Sequence, residues 1–166
     1  MIALLVSVFG GWFNYESNLP ALVAKVDLVE PLAAGSPIHF KLSIDNNGKT
    51  TARGMTPELR FMFSRADVPF KAVYDSKPPE GWTPTTSDLT PGGHTELFST
   101  NRLTLEHQHD VEAVLAGTWK LYFYGKLPYH DLLHVSHEVH FCRVFIKVDG
   151  ADPLKLAQCP TYNETD

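Results

Sequence analysis

Apolar side chains at every second position run through much of this chain, and that spacing commits it to half-buried β-strands. The clearest run is Pro37–Asp45, where Ile38, Phe40, Leu42 and Ile44 point one way and His39, Lys41, Ser43 and Asp45 the other. Asn46-Asn47-Gly48-Lys49-Thr50 follows, a strong turn signal because Asn and Gly accept positive φ. Before it, Leu22, Ala24, Val26 and Leu28 alternate with Lys25 and Asp27. After it, Leu59, Phe61 and Phe63 alternate with Arg60 and Ser64.

Further along, residues 75–93 read as a long connection, with four prolines (78, 79, 84, 91) and three glycines (81, 92, 93). His94–Thr100 can form another strand. Asp110–Gly117 reads as a two-turn helix with Asp110 as N-cap and Gly117 as the stop. The strongest strand signal is Thr118–Lys126, with Trp119, Leu121 and Phe123 inward and Lys120, Tyr122 and Tyr124 outward. A last strand, about Glu138–Val148, is apolar on both faces: Phe141 and Phe145 on one, Cys142, Val144, Ile146 and Val148 on the other. It is therefore expected to be covered on both sides, by its own domain and by the C-terminal tail or a partner. Short strands, Pro/Gly-rich turns and one helix predict an all-β chain, an immunoglobulin-like antiparallel β-sandwich with one short helix, plus an N-terminal hydrophobic segment. The antibody-type pair of core cysteines about a tryptophan is absent. The expected organisation is residues 1–20 as a membrane- or partner-anchoring segment, 21–150 as the Ig-like domain and 151–166 as a C-terminal tail.

The first 13 residues carry no charge, and Lys25 is the first basic residue. A signal peptide would begin with Lys or Arg and end at a small-residue cleavage site. A spanning helix needs ~20 apolar residues, and this run stops at Asn14-Tyr15-Glu16. Three readings stay open: a short interfacial helix, the end of a longer span, or a hydrophobic plug into another subunit. In each, Leu4, Leu5, Val8, Phe9, Trp12 and Phe13 do the anchoring, and Trp12, Phe13 and Tyr15 suit the headgroup level of a bilayer. A fourth reading folds the segment onto the domain's own core.

The net charge of −5, with the 14 basic residues scattered singly, argues against nucleic acid, whose binding needs clustered Lys and Arg. No G-x-S-x-G, Walker loop or G-x-G-x-x-G is present, so no enzyme is expected. His107 and His109 form an H-x-H pair, and His130, His134, His137 and His140 crowd towards Cys142. Imidazole and thiolate suit Zn or Cu. No recognised ligand spacing is met, and on a strand His137 and His140 point to opposite faces. No cofactor and no metal is expected, with His134, His137 and His140 as the residual candidates. Cys142 and Cys159 either pair in an oxidising compartment, closing a loop worth roughly 3 kcal/mol, or remain separate thiols with Cys142 a small core residue. Asn163-Glu164-Thr165 matches a glycosylation sequon of low specificity.

Val26–Gly35, with its P-L-x-x-G ending, and Ile44–Ala52, with N-G-K-T-x-A, resemble the opening of a group of uncharacterised bacterial membrane-anchored proteins. Tyr124–Asp131, His137, Phe141-Cys142 and Cys159–Asp166 are similar to their end. The resemblance implies an N-terminal membrane helix followed by an extramembrane Ig-like domain with no assigned activity. This chain departs from it in a shorter hydrophobic segment and in lacking a long polar linker, which implies a domain close to the membrane surface. The expected function is a non-catalytic accessory or structural subunit, anchored at a membrane or an integral membrane protein complex and contacting protein through the Ig-like domain, Tyr122, Tyr124 and Trp82 included. The domain is expected to be more periplasmic than cytoplasmic, and no small-molecule ligand is expected. The alternative is a periplasmic metal- or small-ligand-binding module using the His130–His140 cluster.

Overall fold

The alternating segments become nine strands and one helix among the described residues, which are 18–73, 85–101, 105–147 and 155–163 of this computed structural model. The residues expected to anchor, Leu4, Leu5, Val8, Phe9, Trp12 and Phe13, and also Trp82, lie outside them. Two antiparallel sheets share one core. In the smaller, β2 (Ile38–Asn46) lies between β1 (Leu22–Leu28) and β6 (His94–Asn101). In the larger, β7 (Trp119–His130) is central, and β8 (Ser136–Ile146) runs along one side of it, followed outward by β9 (Lys155–Gln158). The other side of β7 is occupied end to end by β4 (Glu58–Arg65) and β3 (Ala52–Met55), with β5 (Ser87–Leu89) beyond β3.

The period-2 residues meet between the sheets. Leu22, Ala24, Val26, Ile38, Phe40, Leu42 and Ile44 from the smaller sheet are buried against Leu59, Leu121, Phe123, Leu127, Phe141 and Phe145 from the larger. Phe123 is the hub, with its ring centroid 5.1 Å from Phe40, 5.6 Å from Phe145 and 6.4 Å from Phe61. Burying such side chains, each worth roughly 1.5–3 kcal/mol, is what joins the layers.

Residues 75–93, expected as a long connection, contain β5, which pairs with β3, and three further expectations are corrected by tertiary context. The helix, α1 (Leu105–Ala116), begins earlier than Asp110, which lies within it. It ends at Gly117, where φ is +83° and Thr118 N–H donates back to Ala113 O, a left-handed stop that glycine adopts without strain. The central strand runs past Lys126 to His130, through Pro128. Proline lacks a ladder donor, but the side of β7 that bonds Thr56 N–H through Pro128 O is the gap between β3 and β4, where no ladder bond is required.

The third correction concerns Tyr122 and Tyr124. They point away from the main core as expected, yet they are buried rather than exposed. Phe70, from the segment after β4, stacks on Tyr122 at 4.6 Å and meets Tyr124 and Tyr162 edge-on, each at 5.3 Å. With Cys142, Val144 and Cys159 these rings form a second core on the outer face of the larger sheet. The described part of the C-terminal tail is thus built into the domain: β9 extends the sheet beside β8, and the residues after it cover that sheet.

Candidate functional site

Asn46 determines what lies at one end of the sandwich. It is fully buried where the chain passes from the smaller sheet to the larger. Its Oδ1 accepts from Ala21 N–H (3.2 Å) and Gly48 N–H (3.0 Å), and its Nδ2 donates to Thr50 O (2.8 Å) and Leu89 O (2.9 Å). Its backbone bonds Gly92 and Gly93. Thr50 Oγ1 donates to Asn18 O at 2.7 Å and Asn47 N–H to Ala21 O at 2.8 Å, so the start of the described chain is tied down here. The fit is close: a Cβ on Gly48 would lie 2.3 Å from Ala21 N and 2.4 Å from Leu19 O. Arg53, three residues past Thr50, pairs with His130 at the end of β7. The chain beginning at Asn18 and the β7–β8 connection therefore share one end of the domain.

That connection, Asp131–Val135, is built around a buried carboxylate. Asp131 is only 2% exposed. Its Oδ1 accepts from Leu133 N–H at 2.8 Å and Val135 N–H at 2.9 Å, and its Oδ2 faces His137 Nε2 at 3.3 Å. Asp131 N–H donates to Val135 O and His134 N–H to Asp131 O. His137 stacks on Tyr129, ring centroids 5.2 Å apart. Burial, and secondarily the Asp131 carboxylate, pushes the Tyr129 phenol above its ordinary range. With the Asp131 carboxylate turned inward, the loop presents Leu132, Leu133 and Val135 outward, 45%, 68% and 45% exposed, beside an exposed His134. Sequence reading passed over these three, because Leu-Leu-His-Val shows no period; only the inward pull of Asp131 turns them out together.

The histidines are not brought together as ligands. His134 sits in the loop at φ +61°. His137 faces Asp131, and His140 bonds Glu138 in an ion-pair row that continues through Lys126 to Glu58. His130 Nδ1 lies 3.2 Å from Ser136 Oγ. His107 and His109 fall within α1, where positions two apart do not share a face. No group of three or more metal-binding side chains occurs among the described residues.

Cys142 and Cys159 are joined by a disulfide, Cα atoms 5.4 Å apart. Asn163 closes the same corner: Cys142 N–H donates to its Oδ1 at 3.1 Å, and its Nδ2 donates to Cys159 O at 3.0 Å. The amide nitrogen that a glycan would take is therefore engaged in holding the tail. Beside this corner, a groove of about 530 Å³ lies between the 66–70 segment, the outer face of β7–β9 and Pro160-Thr161. Val68, Phe70, Tyr122, Val144, Ile146 and Ala157 make it largely apolar. Its two charged side chains are engaged structurally, Lys120 with Ala66 O and Asp67 with Arg65.

No described helix is long and apolar enough to cross a membrane. No protein-family model and no curated protein matches the chain. Among solved structures, the X-ray structure of Northeast Structural Genomics Consortium target SoR45 is similar over 84% of this chain and 94% of its own, at 12% identity and a TM-score of 0.39.

Proposed function

We propose that this chain is a non-catalytic accessory protein, held at a membrane or an integral membrane protein complex by its uncharged N-terminal residues. In this reading Leu4, Leu5, Val8, Phe9, Trp12 and Phe13 make the anchoring contact, and the folded domain is an Ig-like module that contacts protein on the extramembrane face. The observation that carries it is the short tether. Asn18 is bonded to Thr50 at the end of the domain, and five residue steps separate it from Phe13, a reach of at most about 18 Å. A domain so tethered works close to whatever surface receives the first 13 residues.

The Ig-like reading is supported by two stacked antiparallel sheets, with the chain crossing between them at Asn46–Ala52 and through α1. The Cys142–Cys159 disulfide favours an oxidising compartment, hence a periplasmic setting. A non-catalytic role is supported by the engagement of the groove's charged side chains and the dispersal of the histidines among structural partners. Deleting residues 2–13 and fractionating cells tests the reading. The shortened chain is expected in the soluble fraction; retention with membranes at the original level refutes the anchor.

A further inference from the structure

The β7–β8 loop combines two properties that a water-facing loop does not need together. Leu132, Leu133 and Val135 are directed outward around an exposed His134, and four of the loop's five N–H groups, those of Asp131, Leu133, His134 and Val135, are bonded within the loop. Water satisfies exposed backbone groups at little cost, so solvent alone does not require this internal pairing. Lipid offers no such partner, and a segment entering it must carry its hydrogen bonds with it. The buried Asp131 carboxylate provides two of these bonds and stays beneath the apolar tip.

Position supplies the second argument. Through Ala52 and Arg53, the Asn46 junction that holds Ala21 and Asn18 adjoins the last residue of β7. Asn18, five residues after the uncharged Met1–Phe13 stretch, is therefore held at the same end of the domain that carries the loop. Exposed Lys49 and Arg53 lie at that end, with the exposed Asp88 carboxylate bonded to Gly54 N–H beside them, and a surplus of cations beside an apolar tip suits an anionic headgroup layer.

We propose that the Leu132-Leu133-His134-Val135 tip is a second membrane contact, inserting into the headgroup–acyl boundary beside the N-terminal segment and fixing the domain end-on to the bilayer. It deepens the anchoring reading and rests on it for the orientation of the domain. A single tether leaves the domain free to rotate; two contacts at one end define its face.

The test uses the full chain with vesicles of phosphatidylcholine and phosphatidylglycerol. The Leu132→Ser/Leu133→Ser variant should lower co-sedimentation by about tenfold, since two partly exposed leucines are withdrawn from lipid, while thermal unfolding stays unchanged. Leu133→Trp should add blue-shifted emission that brominated acyl chains quench, measured as the difference from the parent chain. Vesicle binding unaffected by the double substitution, with the added emission unquenched, overturns the tip and leaves the anchor standing. Binding that survives deletion of residues 2–13 but falls with the double substitution refutes the anchor and supports the tip. No vesicle binding by the full chain overturns the tip and restricts the anchor to a membrane protein complex. Shielding of the added tryptophan in native membranes but not in protein-free vesicles identifies a protein surface and overturns a lipid contact.

Discussion

Replacing Asn46 with Ala should destabilise the whole domain, because this one side chain ties the chain before β1 and the end of β5 to its own turn. Its amide makes four hydrogen bonds, to Ala21, Gly48, Thr50 and Leu89. The bond to Leu89 O is buried, so its loss leaves a carbonyl that water cannot reach, at about 1–3 kcal/mol. The other three are partly buried; water can replace Asn46 there, and each loss costs roughly 0.5 kcal/mol. The sum is about 2.5–4.5 kcal/mol, a large share of the ~5–15 kcal/mol of a typical domain. At a slope of ~2 kcal/mol per molar urea, the unfolding midpoint should fall by about 1–2 M. Urea unfolding followed by circular dichroism measures it. Asn46→Asp provides a control with a sign. It keeps the acceptor for Ala21 and Gly48 but turns a carboxylate oxygen towards the Leu89 and Thr50 carbonyls, which raises the folded-state pKa of the new group above its unfolded value. Its deficit should therefore be greatest at neutral pH, where the group is charged, and shrink as pH falls through the folded pKa. A loss below about 1 kcal/mol for Asn46→Ala would show that water replaces the amide even at Leu89 O, and the junction argument would fail.

Three further outcomes are expected. Reducing the Cys142–Cys159 disulfide, which closes 17 positions, should cost roughly 3 kcal/mol and loosen β9, measured by hydrogen exchange at 155–159; unchanged protection there refutes the role given to the tail. His94 hydrogen-bonds Asp45 and also pairs with Glu96, which holds its pKa above the ordinary 6.5. The stability it contributes is thus fully present below the unfolded value and lost as pH rises through the folded one; proton NMR should show the raised midpoint and its return towards 6.5 in Asp45→Asn. Phe123→Ala removes the ring shared by Phe40, Phe61 and Phe145 and should cost about 3–5 kcal/mol in urea unfolding; a cost under about 1 kcal/mol would mean that the two layers do not depend on this hub.

Alternation and turn residues alone were enough to place most of the elements. The inward residues of β1 and β2 and the Asn46–Thr50 turn follow from local chemistry, because a period of two has one meaning on a pleated strand. Gly117 was legible as a helix stop for the same reason: positive φ is a local demand. The helix start was not, because Asp110 and Thr104 are both N-cap residue types and the chain alone does not choose between them. The strand was expected to stop at Lys126, because the partners that carry it on through Pro128 to His130, β8 and the β3–β4 gap, are distant in the chain or set by its fold. Tyr122 and Tyr124 looked like an exposed face because Phe70 and Tyr162, which cover them, are far from them in sequence. The sequence by itself thus determined the longer alternating strands and the uncharged first 13 residues. Only the tertiary structure decided the short strands β3, β5 and β9, which second face is dry, that His137 serves Asp131 and His140 Glu138, and that Leu132, Leu133 and Val135 stand exposed at the end where Asn18 is held. Periodicity is a property of neighbours along the chain; cover, pairing and shared ends are properties of neighbours in space.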